Sequence, residues 1–204
     1  MRRTKADSEQ TKQAILEAAI EVFTEYGVAK SSLEKIAQKA KVTRGAVYWH
    51  FENKQQIFDA LHELLHAPFI EAIVEGLEGA AFDPIGQLQT LCSDLLIELE
   101  DNEKKRKLAT LFLTKCDYSG EFAHIRERYN TTKGLKISAL SKYFEKAIEK
   151  GQLSSHADPK MLTLAISAFL RGIVEEFLED PDAYPLKERA PKLMALFFGN
   201  IYVR

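Results

Sequence analysis

Two groups of residues in this chain have types and spacings that do chemistry. His62-Glu63-Leu64-Leu65-His66 carries the HExxH spacing of zinc proteases. On a helix the two histidines fall one turn apart on one face, and the glutamate is placed as a general base. Zinc catalysis also needs a third protein ligand and an open coordination position. No later segment reads as a clear third ligand, although His124, His156 or an acid remains open, and Pro68 follows the motif at once. The pair is expected to be incidental, with no metal; a regulatory metal contact and a zinc-dependent hydrolase stand as alternatives.

The second group lies just upstream. At 100° per residue, Ala46, Val47 and Phe51 point one way, while Arg44, Gly45, Tyr48 and Trp49 span the opposite arc. Tyr48 and Trp49 are neighbours and cannot both enter one core. An exposed aromatic pair beside Arg44, His50 and Lys54 reads as a face pressed into a DNA groove. Gly45 fits, because a helix-interior glycine costs about 0.5–1 kcal/mol relative to alanine but lets the backbone approach a phosphate or base edge closely. The bland readings are that Trp49 caps the core edge and that Lys54 is solvated. There is no Gly-rich phosphate loop and no nucleophile elbow, so neither an enzyme nor a cofactor is expected. Cys92 and Cys116, the two cysteines, read as small core residues. They supply no disulfide framework, which favours a reducing, cytoplasmic compartment.

The elements that position these residues are helical throughout. No stretch alternates with period 2, and all six prolines lie beyond residue 67. The first helix is expected over Ser8–Tyr26, with Ile15, Ala18, Ala19, Val22, Phe23 and Tyr26 on one buried face and Gly27 as its stop. Ser31 and Glu34 have capping-box spacing for a short second helix carrying Leu33, Ile36, Ala37 and Ala40. Thr43 is the expected N-cap of a third, Arg44 to Phe51. A fourth starts near Lys54 and should kink or be rebuilt at Pro68. Asp83-Pro84 and Asp158-Pro159 each place an acid at the N-cap and a proline at the first helical position. The last helix is expected to end near Tyr202, with its start blurred by Pro191. Two short helices joined by a tight turn and braced by another form a helix-turn-helix unit, against the alternative of an ordinary helical hairpin.

Charge divides the same way. The 204 residues sum to −2, which by itself speaks against nucleic acid. Residues 1–54 hold ten Lys+Arg and seven Asp+Glu, leaving 18 and 23 for the rest: a basic front on an acidic body suits phosphate binding at one end. The longest run without a charged residue, Leu193 to Val203, is well short of the roughly 20 apolar residues of a membrane span. The amino terminus has basic residues but no apolar run, so it does not read as a signal peptide.

Thr43-Arg44-Gly45-Ala46-Val47-Tyr48-Trp49-His50-Phe51, followed by Asn53-Lys54 and Ile57-Phe58, closely resembles the recognition segment of the TetR family of bacterial transcription regulators. Ile15…Ala18-Ala19…Phe23…Tyr26-Gly27 and Ser32-Leu33…Ile36-Ala37 fit its pattern. The Tyr-Trp-His-Phe form is similar to the AcrR-type branch, repressors of multidrug efflux pumps, as are Leu111-Phe112 through Lys115-Cys116-Asp117 and Gly120-Glu121. Lys41 departs from the family, which commonly has glycine at that turn; if left-handed, it costs roughly 1 kcal/mol. The resemblance implies an all-α fold of about nine helices: a DNA-binding domain over 1–54, and a helical effector-binding and dimerisation domain over 55–204. It implies DNA contacts from Thr43, Arg44, Gly45, Tyr48, Trp49, His50 and Lys54, with Arg44 the candidate base reader. Ser31, Ser32 and Leu33 would hold a phosphate through free backbone amides, and Arg2, Arg3 and Lys5 form a basic arm.

If the family reading holds, the body must dimerise, since one short helix reads too few base pairs. Leu162, Ile166, Leu170, Ile173, Val174 and Phe177, with Leu193, Leu196, Phe197 and Ile201, exceed what one helical stripe needs and are the expected dimer surface; the alternative is monomer core. The body must also hold an effector. Its aromatic content and acidic excess suit a lipophilic cation or a polyamine, with Leu65, His66, Phe69, Cys92, Leu95, Phe112, Cys116, Tyr143 and Phe169 as expected lining. The competing class is a helical sensor or interaction protein that does not bind DNA.

Overall fold

The computed structural model describes residues 4–78, 83–115, 123–199 and 201, with the side chains of 78, 123–129 and 132 left aside. Regular structure among the described residues is entirely helical: nine α-helices and a π-helical turn. None of these helices is long and apolar enough to cross a membrane. The chain forms two compact units, one of residues 1–65 and 107–127, the other of 66–106 and 128–204. The boundary expected at residue 54 falls at the first residue of α4, whereas the units divide later in that helix.

The first unit opens with α1 (Lys5–Tyr26), which starts earlier than Ser8 because Thr4 and Asp7 form a reciprocal capping box. The Thr4 hydroxyl accepts from the Asp7 amide at 3.2 Å, and the Asp7 carboxylate accepts from the Thr4 amide at 3.0 Å. Gly27, at φ 75°, ends the helix where a side chain would be strained. α2 (Leu33–Lys39) and α3 (Arg44–His50) follow. The cap of α2 is Ser32, which accepts from the Lys35 amide. Ser31, expected in that role, is buried and donates its hydroxyl to the Gly27 carbonyl at 2.6 Å. With two serines in succession, the unmet carbonyls ending α1 claim the first and α2 takes the second.

Ile15, Ala19 and Phe23 of α1 close over Ile36 of α2, Val47 of α3 and Phe58 and Leu61 of α4 (Lys54–Glu78). Phe58 also meets Phe112 edge to face at 4.9 Å. At about 1.5–3 kcal/mol for each large apolar side chain buried, this core fixes the short helices, whose seven residues each are too few to hold alone. Tyr26, expected on the buried face, is 44% exposed and instead stacks beneath the Lys35 ammonium, 4.2 Å from its ring centroid. α4 begins with Asn53 accepting from the Gln56 amide at 2.9 Å and remains helical through Pro68.

The second unit is built on α5 (Pro84–Asp101), the later part of α7 (Ala123–Glu149), α8 (Pro159–Glu179) and α9 (Leu186–Phe198), while α6 (Glu103–Thr110) runs into the π-helical turn Leu111–Lys115. Asp83 and Asp158 cap α5 and α8, with Pro84 and Pro159 in the first turn. α5 packs against α9, whose buried Leu186, Ala190, Met194 and Phe198 recur every fourth residue. Pro185 gives α9 no side-chain cap. Glu100 of α5 does so from a distance, accepting from the Lys187 amide at 2.7 Å, and Lys187 pairs with Asp101. Pro191 lies inside α9; residue 202, the expected end, is outside the described residues.

Candidate nucleic-acid interface and effector region

The turn between α2 and α3 sets the reader. Lys41 adopts φ 55°, the one positive φ among described non-glycine residues. Around it the Val42 amide bonds the Ala37 carbonyl at 3.0 Å and the Lys41 amide bonds the Gln38 carbonyl at 3.2 Å. This is a Schellman close, which satisfies the last carbonyls of α2 and aims the chain into α3. Thr43 then caps α3, its hydroxyl accepting from the Ala46 amide at 3.1 Å.

Val47 is fully buried and Ala46 nearly so, while Trp49 is 82% exposed and Tyr48 48%. A large exposed indole is costly in water and has no use in the core of this unit. At Gly45 an added Cβ would meet only the Thr43 hydroxyl, at 3.9 Å, so internal packing does not require glycine there. Arg44 pairs with Glu34 across 2.6 Å. The Glu34 carboxyl is held below its ordinary range by its own backbone amide first, then by the Ser32 hydroxyl and Arg44. Lys54 donates to the Ala29 carbonyl at 3.0 Å and to that of Val28 at 3.4 Å, tying α4 to the loop before α2. His50 is half-buried, its ring tilted against Phe51 at 6.4 Å. Of the three residues expected to offer free amides, Ser31 does not: its amide bonds the Val28 carbonyl at 3.3 Å. Ser32 and Leu33 remain at the start of α2. Arg2 and Arg3 lie outside the described residues.

His62 is buried with its ring perpendicular to Phe112 at 5.2 Å, an aromatic packing role. No group of three or more His, Cys, Asp or Glu suited to a metal occurs among the described residues.

The expected effector lining separates. Leu65 and Phe112 pack in the core of the first unit, and Cys116 is outside the described residues. Phe169 stacks on Phe197 at 5.3 Å and lines a cleft of about 360 Å³ with Ile173, Tyr184, Leu186, Arg189 and Leu193. Ile173 and Leu193, expected in the dimer surface, thus share this cleft. His66 and Leu95 are half-buried in the second unit. Phe69, Cys92 and Tyr143 are buried, and Phe69 and Cys92 lie beside a residue sequence reasoning missed, Lys136, whose ammonium is 4.9 Å from the Phe69 ring centroid. The signal was present: Leu140 and Tyr143 follow Lys136 at i+4 and i+7, on the stripe that α7 buries. The Tyr143 hydroxyl donates to the Ile73 carbonyl at 3.1 Å. An added Cβ at Gly76 would overlap that hydroxyl and the Gln87 amide, so glycine is needed there for close approach. The acidic excess that suggested a cationic effector faces water. Described carboxylates of the second unit are exposed except Glu100 and Glu175, which are bonded to the Lys187 amide and to Arg171.

The dimer surface also needs correction. Ile166, Leu170 and Phe177 are buried within the protomer, because the α8 stripe facing the core takes the i, i+4 series. Leu162, Val174, Phe197 and Ile201 are half-buried and Leu196 is 63% exposed. Met161 and Leu164, not singled out from sequence, are exposed at 61% and 57%.

Residues 15–61 match the model of the bacterial regulatory proteins of the tetR family, and residues 83–202 that of the C-terminal region of MAATS-type transcriptional repressors. The HTH-type transcriptional regulator AcrR of Shigella flexneri is 28% identical over 96% of this chain and 91% of its own. The structure of NalD, secondary repressor of the MexAB-OprM multidrug efflux pump in Pseudomonas aeruginosa, aligns with a TM-score of 0.86 and 34% identity over 96% of this chain and 98% of that one. The complex of SmeT with triclosan aligns at 0.85, with 29% identity over 96% and 92%. The reader geometry and the two matched regions agree: this chain belongs to the tetR family of bacterial regulatory proteins, with the C-terminal region of a MAATS-type transcriptional repressor.

Proposed function

We propose that this protein is a cytoplasmic, ligand-responsive repressor of a multidrug efflux system, without enzymatic activity. It binds a near-palindromic operator as a homodimer and leaves it when a small lipophilic effector binds. The observation that carries the DNA reading is the outward face of α3, where Trp49 and Tyr48 stand exposed beside Arg44 on a helix braced by a buried Val47. NalD and AcrR support the efflux reading, and the SmeT–triclosan complex supports a small-molecule effector.

In this reading residues 1–54 contact DNA through Thr43, Arg44, Gly45, Tyr48, Trp49, His50 and Lys54, with Ser32 and Leu33 at the edge. Residues 55–204 bind the effector and dimerise. The exposed Leu196 and Leu164, with half-buried Leu162, Val174 and Phe197, form the dimer face on α8 and α9. α4 contributes residues to both units, so an effector that displaces it changes the presentation of α3. Release is then limited by the effector's differential affinity for the two states. A mobility shift on the DNA upstream of the gene tests the reading: a retarded complex competed poorly by unrelated DNA is expected, and failure to bind at low salt overturns it.

A further inference from the structure

Lys136 is held by α7 with its ammonium against the face of Phe69, and no described carboxylate is paired with it. Cys92 is fully buried and near enough for the two groups to perturb each other, but burial pushes its thiol up to about 12. Burial and Cys92 likewise push Tyr143 up to about 12, and its hydroxyl is committed to Ile73. Both groups are neutral near pH 7, so neither supplies a negative charge. Burial also disfavours the charged form of Lys136, lowering its pKa. Gln87, beside Tyr143 at Gly76, keeps a buried side-chain oxygen without a hydrogen-bond partner. Among the described residues, the interior at α4, α5 and α7 therefore has an apolar lining, an incompletely satisfied amide and a cation with no carboxylate partner.

We propose that this interior takes a lipophilic acid as effector, with Lys136 pairing its carboxylate or phenolate and Phe69 with its apolar neighbours covering its hydrophobic body. This rests on the ligand-responsive reading and sharpens it. A lipophilic cation would place a second positive charge beside the first, in a medium that screens poorly. An anion completes a charge-assisted hydrogen bond, roughly twice as strong as a neutral one.

The test uses the full-length protein and three probes of one chain length, nonanoate, 1-nonanol and nonylamine, titrated calorimetrically below their micelle-forming concentrations. Nonanoate is expected to bind about 10-fold or more tightly than nonanol, and nonylamine weakest. Lys136→Met should bring nonanoate to the level of nonanol, and Lys136→Arg should keep the preference. If Lys136→Met does not fold, the wild-type series alone decides. Nonylamine binding as tightly as nonanoate, acid preference surviving in Lys136→Met, or binding of none of the three overturns the proposal. The ligand-responsive reading fails separately, if no member of a wider panel of lipophilic compounds loosens the complex with operator DNA.

Discussion

Arg44, the first residue of α3, donates to Glu34, in the first turn of α2, across 2.6 Å. The guanidinium that is the candidate base reader is therefore held by a carboxylate on the neighbouring helix before any DNA arrives. Both side chains are substantially exposed, so the pair contributes little to folding. Its consequence is for recognition, because Arg44 must exchange Glu34 for a base edge or keep it as an orienting partner. Arg44→Ala should relax discrimination at its base position by about 1–3 kcal/mol. Glu34→Gln should strengthen binding to all DNA while narrowing the ratio between operator and scrambled sequence, if Glu34 orients Arg44. Titrations of both variants on the two DNAs read this directly; unchanged preference in Arg44→Ala removes it as the base reader.

Lys54 has a double task. Its bonds to the Ala29 and Val28 carbonyls hold the loop before α2, and the DNA reading adds a phosphate contact for the same ammonium. Lys54→Ala should weaken binding to every sequence and make the salt dependence shallower by roughly one unit of slope. The lost loop bonds should also lower stability by about 1 kcal/mol. A stability loss with no change in salt slope would assign Lys54 to the fold alone.

Lys41 carries backbone strain at the turn between the reading helices. The left-handed conformation costs a non-glycine residue about 1–2 kcal/mol, and glycine gives back about 0.4–1 kcal/mol through its freer unfolded chain. Lys41→Gly should therefore stabilise the protein by about 0.5–1 kcal/mol in urea denaturation. Destabilisation would mean that the lysine side chain makes a contact worth more than its strain.

The pH dependence of stability follows from the interior groups. The folded pKa of Lys136 is lowered from its ordinary 10.5. Between the lowered value and 10.5, the unfolded chain holds a proton that the folded chain has released, so this group's contribution rises with pH. Cys92 and Tyr143 act oppositely. Their folded values of about 12 exceed the ordinary 9.0 and 10.0, so their contribution is full at neutral pH and falls as alkalinity increases. Comparing wild type with Lys136→Met isolates the lysine. The variant should be more stable at neutral pH, and the gap should close as pH rises. A gap independent of pH would show that the ammonium is not desolvated.

The reader was legible in the sequence because its signals are local. Thr43 capping α3, Val47 turning inward and the Trp49–Tyr48 pair turning outward are all set by helical periodicity within ten residues or so. Ser31 was misread because adjacent serines are equivalent as caps until the end of α1 is placed beside them. The division of α8 into core and outer faces, with Ile166, Leu170 and Phe177 inward, was less legible, since apolar residues from Met161 to Leu170 surround the helix and periodicity alone does not say which side meets α9. Lys136 was missed because charge was summed over the whole 55–204 body and not followed onto the face each residue takes in its helix. The acidic body drew attention to cations, while the half-buried Lys136 against Phe69 carries the opposite sign.

Trp49 is the single tryptophan of the chain and stands 82% exposed on α3, so its fluorescence reports on the reading face without any label. Titrating the protein with operator DNA should quench or blue-shift this emission and saturate at two protomers per half-site pair, with unrelated DNA giving a weaker, salt-sensitive change. Unaltered Trp49 emission on DNA that a mobility shift shows to be bound would contradict α3 as the reading helix.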